Sequence, residues 1–381
     1  MFLQVGATTS CYRISKLKAI QTPVVCLAQG VIFANLLVWP LLANDPSPEA
    51  LIKAGHWKRA RVLLEQRYQG HPGDAPSAYW LSQVKAAFGD LDAAVKLAEK
   101  AVALDSSNAD YHAQLGTVCG ETAERASLFA RAGWAHRFKE ETEKAAELNP
   151  RHLDARFALL EYYLRAPRLM GGSRQKAAAM AEEISRIDPA RGYLAQARLA
   201  QEDKDAAREE AAFLKALTTA SEDYEILVSV AAFYNRDTER KYNKAEKHSR
   251  EAAKVDPSQA SAYCSLAFAL AAQERWSELD AALAESAKNV PDDFNPYYQA
   301  GEVLLDTTKD LPRAERYFRR YLGQEPEGEA PTLAHAHWRL GMVLEKEGRK
   351  PEAVSEVEAA LRLSPDLGEA KKDLKRLKVA D

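Results

Sequence analysis

Residues 87–105 read AFGDLDAAVKLAEKAVALD, and residues 346–364 read KEGRKPEAVSEVEAALRLS. Gly89 and Gly348 hold the same place in the two stretches, as do Ala94 and Ala353, and Ala101 and Ala360. The period behind this match is 34 residues: it separates Gly55 from Gly89 and Ala60 from Ala94. Trp57 answers to Leu91, and Ser106 stands where Pro72 closes the preceding unit. Leu266, Ala267, Trp276 and Pro291 mark another copy, and Leu340, Gly341, Gly348, Ala353, Ala360 and Pro365 mark the last. A repeat of this length constrains the fold more than any other feature of the chain. Two helices of about three turns each, joined by a tight turn, account for it.

The small residues have a physical reason to stay fixed. Gly55, Gly89 and Gly348 are placed to end a first helix in the left-handed conformation. Ala94 and Ala101, seven apart, share one stripe of the second helix. They must be small because packed helices approach to about 8–10 Å. Pro72, Pro150, Pro189, Pro257, Pro291 and Pro365 follow second helices and are expected to stop them. Trp80, Leu81, Leu97, Leu159, Leu266 and Leu340 fill the gaps. Each hairpin is apolar on both broad sides, so neighbours must stack to bury them.

These residues resemble the tetratricopeptide repeat family, whose unit is a helix-turn-helix of thirty-four residues. The resemblance covers about residues 41–367. It is strong in units 41–74, 75–108, 260–293 and 334–367, and degenerate in 109–152, 153–191, about 192–225, about 226–259 and about 294–333. It implies an all-α, right-handed superhelix (an α-solenoid) of about nine units with first helices lining the inner face. The charged, periodic segment 368–381 is expected to be a C-terminal cap helix. The irregular units span 109–259. Unit 109–152 carries about ten extra residues, which predicts longer helices. In unit 153–191, Pro167 and Gly171-Gly172 widen the turn, and Ser173 is placed to cap the next helix. That Gly171, Gly172, Ser173 start is also a weak anion-binding candidate, although the Gly-Lys-Ser/Thr ending of a phosphate loop is absent. The segment YNRDTERKYNKAEKH widens the turn of unit 226–259.

The first 43 residues differ from the rest. Arg13, Lys16 and Lys18 precede an uncharged stretch from Ala19 through Asn44. This order of basic flank, apolar stretch and small residue is that of a secretory signal, with cleavage after Ala43. The alternatives are an N-terminal membrane anchor, with membrane association through residues 19–43, and a buried core segment. The first reading places residues 44–367 outside the cytoplasm, in the periplasm or cell envelope.

Composition and motifs exclude several functions. The 52 basic and 55 acidic residues give a net charge of −3, and no basic run with interleaved aromatics points to nucleic acid. Among the four cysteines, Cys119 and Cys264 are isolated in the repeat region and read as semi-buried thiols. No G-x-S-x-G, H-E-x-x-H, C-x-x-C or dinucleotide fingerprint occurs. His335 and His337 lie on different faces of one helix, and His112, His136 and His152 lack the i, i+4 spacing of helical metal sites. Glu182-Glu183 and Glu209-Glu210 read as solvated helix faces. Neither enzyme, metal nor cofactor is expected.

Binding to protein or peptide partners remains. The resemblance implies that the fifth position of a first helix faces the groove; here that position holds Tyr79, Phe157, Cys264, Tyr298 and Trp338. Gln83, Glu161, Arg165, Phe268, Glu302, Met342, Glu345 and Lys346 are the neighbouring candidates. Aromatic side chains on a rigid wall offer contact area at low entropic cost, yet they pack equally well against the next repeat, and both roles stay open. The Asn of the co-chaperone carboxylate clamp is missing: Gln83, Thr117, Glu161, Phe268, Glu302 and Met342 stand at its positions. A second function class is a ligand-binding or transport accessory protein with a pocket in the irregular central units.

Overall fold

The computed structural model describes residues 46–236, 238–328 and 330–379. The leader and its cleavage point lie outside these residues. Nineteen α-helices are present among the described residues, and no strand. In chain order they are α1 (Pro48–Lys53), α2 (Trp57–Gly70), α3 (Ala75–Ala87), α4 (Leu91–Leu104), α5 (Ala109–Arg125), α6 (Leu128–Leu148), α7 (Leu153–Arg165), α8 (Arg174–Ile187), α9 (Pro189–Glu202), α10 (Ala206–Thr219), α11 (Tyr224–Asn235), α12 (Tyr242–Val255), α13 (Ala260–Ala272), α14 (Trp276–Asn289), α15 (Asn295–Thr307), α16 (Leu311–Tyr321), α17 (Leu333–Lys346), α18 (Lys350–Leu363) and α19 (Gly368–Val379). The first eighteen fold as consecutive hairpins, and α19 packs on α18. None is long and apolar enough to cross a membrane.

The glycine and alanine spacing has the structural meaning it suggests. Gly55, Gly89 and Gly348 adopt φ of +83°, +81° and +79°. After Gly89 the chain closes α3 with two bonds, Gly89 N–H to Ala86 O (2.8 Å) and Asp90 N–H to Lys85 O (2.9 Å). The Asp90 side chain then accepts from Ala93 N–H at 3.2 Å and starts α4. One turn thus ends one helix and caps the next. Units without the glycine keep the same turn: Lys204, Glu274 and Thr308 take its place with φ of +56° each. Ala60, Ala94, Ala101, Ala353 and Ala360 are fully buried where α-helices meet. In the last unit, a Cβ on Gly341 of α17 would come within 2.7 Å of Val357 on α18.

The long unit fulfils its expected geometry, with α5 and α6 reaching 17 and 21 residues. Gly116 and Gly120 let them run close, since an added Cβ would meet Thr142 and Phe138 at 2.5 and 2.8 Å. At Pro189 the structure corrects the sequence reading. Pro189 opens α9 as well as ending the previous unit, so the next hairpin starts at 189 rather than about 192. Asp188 is at once the last residue after α8 and the side-chain cap of α9, accepting from Arg191 N–H at 3.0 Å. Proline suits a first helical position because its missing N–H has no intrahelical partner there.

Two further readings are revised. Gly171, with φ of +94°, and Gly172 do widen the α7–α8 turn, and Ser173 Oγ caps α8 through Lys176 N–H at 3.3 Å. The backbone N–H groups of Gly171, Gly172 and Ser173 are donated to Arg168 O, Pro167 O and Tyr163 O, however. These three N–H groups are therefore not free to bind an anion. Glu209 is buried rather than solvated, and Arg236 Nη2 donates to it at 2.7 Å. Glu210 accepts from Tyr234, Lys241 and Lys244. The cause is the wide α11–α12 turn, which folds its cations back onto α10.

Contacts between the first hairpin and the loops flanking α15–α16 show how far the array curls. The α1–α2 turn and the start of α2 touch the α14–α15 turn and the α16–α17 loop. His56 Nδ1 lies 2.9 Å from Asp292 Oδ2. Lys58 Nζ donates to the carbonyls of Asp292 (2.6 Å) and Glu325 (2.7 Å). Arg61 makes a two-pronged bond to Glu325, at 3.0 and 2.8 Å. The Lys58 backbone N–H donates to Glu327 Oε2 at 2.8 Å, so a residue 269 positions away caps α2. Gly328 sits so tightly that a Cβ there would meet Ala87 and Trp57. The stack of hairpins therefore curls round until the loops flanking the α15–α16 hairpin meet the first hairpin, with α17–α19 running on beyond.

Candidate functional site

The last helices frame a groove of about 550 Å³, lined by Leu305, Asp306, Trp338, Arg339, Met342, Glu345, Lys346, Asp373 and Arg376. Three parallel-running elements supply it: α15 and α17 are first helices of their units, and α19 takes the next first-helix place. Residues four apart on α17, Trp338 and Met342, share a face toward it. Trp338 is half-buried and its Nε1–H donates to Asp373 Oδ2 at 2.9 Å. The Arg339 guanidinium stacks 4.4 Å from the Trp338 ring. It also contacts Glu302, with Nε 2.5 Å from Oε1 and Nη2 3.3 Å from Oε2.

Burial pushes Glu302 up to about 7, against the pull of Arg339, and the nearby Asp306 adds to the rise. Across the groove Arg376 pairs with Glu345 and with Asp373, the latter at 3.0 Å, and its Nη2 lies 3.8 Å from Met342 Sδ. Lys346 Nζ reaches Thr308 Oγ1 at 3.0 Å. The result is an apolar floor of Leu305, Trp338 and Met342 under a rim of paired charges. Such a surface holds an apolar anchor and aligns polar groups around it. A second cavity of about 560 Å³ lies at the other end, lined by Arg67, His71, Gly73 and Asp74.

The other positions singled out in the sequence lie elsewhere. Tyr79, Phe157, Cys264 and Tyr298, four of the five matched first-helix positions, are buried in the core. Tyr79 packs on Trp80 and Tyr111, at 4.7 and 5.2 Å between ring centres. Tyr298 packs on Phe318 and Tyr321, at 5.4 and 5.1 Å. Gln83 is buried. Glu161 is held by Arg198 at 2.5 and 3.0 Å and by Arg165 at 3.2 Å. Phe268 is half-buried, 6.4 Å from Tyr242. Of the positions singled out, Trp338, Met342, Glu345 and Lys346 line the C-terminal groove, and Glu302 lies behind it, paired with Arg339. Arg339, Asp373 and Arg376 complete it and were not singled out from the sequence; the aromatic beside Arg339 was the one available signal. Among the described residues, no group of His, Cys, Asp and Glu side chains is arranged to hold a metal ion.

Helical hairpins in series, with αL turns at a fixed period and small residues at each contact, define the class as a helical-repeat solenoid. Tetratricopeptide repeat models match residues 51–115 and 334–367. These two stretches carry tetratricopeptide repeats. No curated protein matches it in sequence. Among solved structures, yeast Tom70 is 14% identical with a TM-score of 0.48, covering 87% of this chain and 86% of its own. TTC0263, a thermophilic tetratricopeptide repeat protein of Thermus thermophilus, is 21% identical with a TM-score of 0.43, covering 49% and 94%. PilW, a type IV pilus biogenesis factor, is 18% identical with a TM-score of 0.43, covering 58% and 98%.

Proposed function

We propose that this chain is a non-catalytic protein-interaction scaffold, and that it seats a peptide or helical segment of a protein partner in the groove between α15, α17 and α19. The observation that carries this reading is Trp338, a half-buried aromatic over an apolar floor, ringed by the Glu302–Arg339, Glu345–Arg376 and Asp373 pairs. The family resemblance supports a binding role. A partner segment with one large apolar side chain flanked by polar groups matches the groove's chemistry. The leader supports a place in the cell envelope, with cleavage after Ala43 as the point to check by N-terminal sequencing of the exported product.

The test uses peptides selected from a display library against the intact chain. Trp338→Ala is expected to weaken their binding by tenfold or more, as loss of an aromatic anchor costs about 2 kcal/mol or more. Far-UV circular dichroism should stay unchanged, because the groove lies on the surface of the stack. Full affinity in Trp338→Ala and in Met342→Ala, with helicity intact, would reject the groove.

A further inference from the structure

The contact between the first hairpin and the loops flanking α15–α16 has the composition of a joint rather than of a core. Its two sides are the start of α2, with His56, Lys58 and Arg61, and the segments 292–293 and 325–328, with Asp292, Asp293, Glu325 and Glu327. Nearly every interaction across it is an ion pair or a hydrogen bond to a charged group. An apolar contact adjoins them where Gly328 packs against Ala87 and Trp57. By contrast, hairpins that follow one another in the chain share continuous apolar clusters, such as the one running from Leu266 to Leu377. The Arg61–Glu325 pair is reached by solvent and is individually weak, while His56, Lys58 and Glu327 are largely buried, where the cost of desolvation offsets much of the attraction between charges; apolar stacking carries no such penalty.

We propose that these two sides form a reversible clasp. Closed, it holds the superhelix curled; open, it frees the first hairpin from the α16–α17 loop and admits a partner segment to the inner face from the side. The clasp lies apart from the α15–α17–α19 groove and does not depend on binding there.

The charges around it make the closed form depend on pH. Glu327 is buried, and burial pushes it up to about 7 although Lys58 N–H bonds to it. Burial likewise pushes Asp293 up to about 6. The groups facing them are Lys58, Arg59, Arg61, Glu65 and His56 from the first hairpin, Asp292 from the α14–α15 turn, Tyr321 at the end of α16, and Glu325 on the same loop. Opening returns Glu327 and Asp293 toward ordinary carboxyl values, so the closed form binds more protons than the open one. Their contribution is full below those ordinary values and is lost as pH rises through about 6 and 7. Each such proton changes the closure equilibrium by up to about tenfold per pH unit. Asp292 and Glu325 act the other way. Burial opposes ionisation of Asp292 but His56 outweighs it, and the bond from Arg61 holds Glu325 down. Their contribution is lost as pH falls through their lowered values. The clasp is tightest in mildly acidic solution.

Spin labels at Gln66→Cys and Lys288→Cys, both exposed positions, report the distance across the joint by pulsed electron resonance. Cys119 and Cys264 are buried and stay unlabelled, and Cys11 and Cys26 are replaced by serine. A single short distance is expected at pH 6, with a longer population growing toward pH 8. Arg61→Glu should open the joint at pH 6 with helicity unchanged, and adding Glu325→Arg should close it again. Glu327→Gln, which keeps a bond to Lys58 N–H but cannot ionise, should remove one proton from the pH dependence. One distance from pH 5 to 8 in the parent and in Arg61→Glu would overturn the proposal. So would opening that occurs only with loss of helix, since the joint would then be part of the folded core.

Discussion

Lys204, Glu274 and Thr308 show what the repeat demands of a single residue. Each holds a positive φ at the position where other units place Gly55, Gly89 or Gly348. A side chain in that conformation costs about 1–2 kcal/mol, and glycine avoids the cost but brings more disorder to the unfolded chain. The net balance favours glycine. Glu274→Gly is therefore expected to raise stability by about 0.5–1 kcal/mol, read as a shift of the urea midpoint at unchanged slope; its exposed carboxylate has only Lys309, at 3.2 Å, to lose. The turn itself was legible because glycine announces it, and its glycine-free copies were not, since Lys, Glu or Thr carries no such signal. Burial of Tyr79, Phe157 and Tyr298 was illegible for a related reason. An aromatic residue one step along a first helix fits a groove wall or a core equally well, and only the angle between neighbouring hairpins decides.

The helix contacts follow the alanine stripe. Ala353 on α18 is fully buried, and its carbonyl lies 3.1 Å from where a Cβ on Gly341 of α17 would be. Ala353→Leu is expected to destabilise the last hairpin by about 1–3 kcal/mol through overpacking, measured by chemical denaturation. The cap helix has a comparable role. Ala370 and Leu377 of α19 are buried against α18, and Asp373 and Arg376 reach the groove. Ending the chain after Leu367 would expose the apolar side of α18, as happens when a solenoid loses its terminal element. The truncated protein should show a lower melting temperature and concentration-dependent association by light scattering. Sequence periodicity told of a helix here because charge and spacing are local. That the same helix forms one wall of the groove depends on where α17 turns Trp338, which no local pattern records.

At the scale of the molecule, hairpin stacking was readable and closure was not. Each unit adds a small rotation to the last, and the sum over the array sets whether later loops meet the first hairpin. The wide turn at 166–173, the break between α11 and α12, and the linkerless junction at Asp188 each change that sum by amounts that residue types do not state. Yet this meeting leaves α2 in an unusual position. Its capping residue His56 offers no side-chain bond to the helix, and the carboxylate that serves instead belongs to Glu327, 269 residues beyond the Lys58 N–H it accepts from. Chains are made from the N-terminus, and domains fold in that order as they emerge. During synthesis the first hairpin leaves the ribosome with its helix start uncapped by Glu327, and that bond waits for the 269 residues that separate the two. A helix made early is completed by a side chain made 269 residues later.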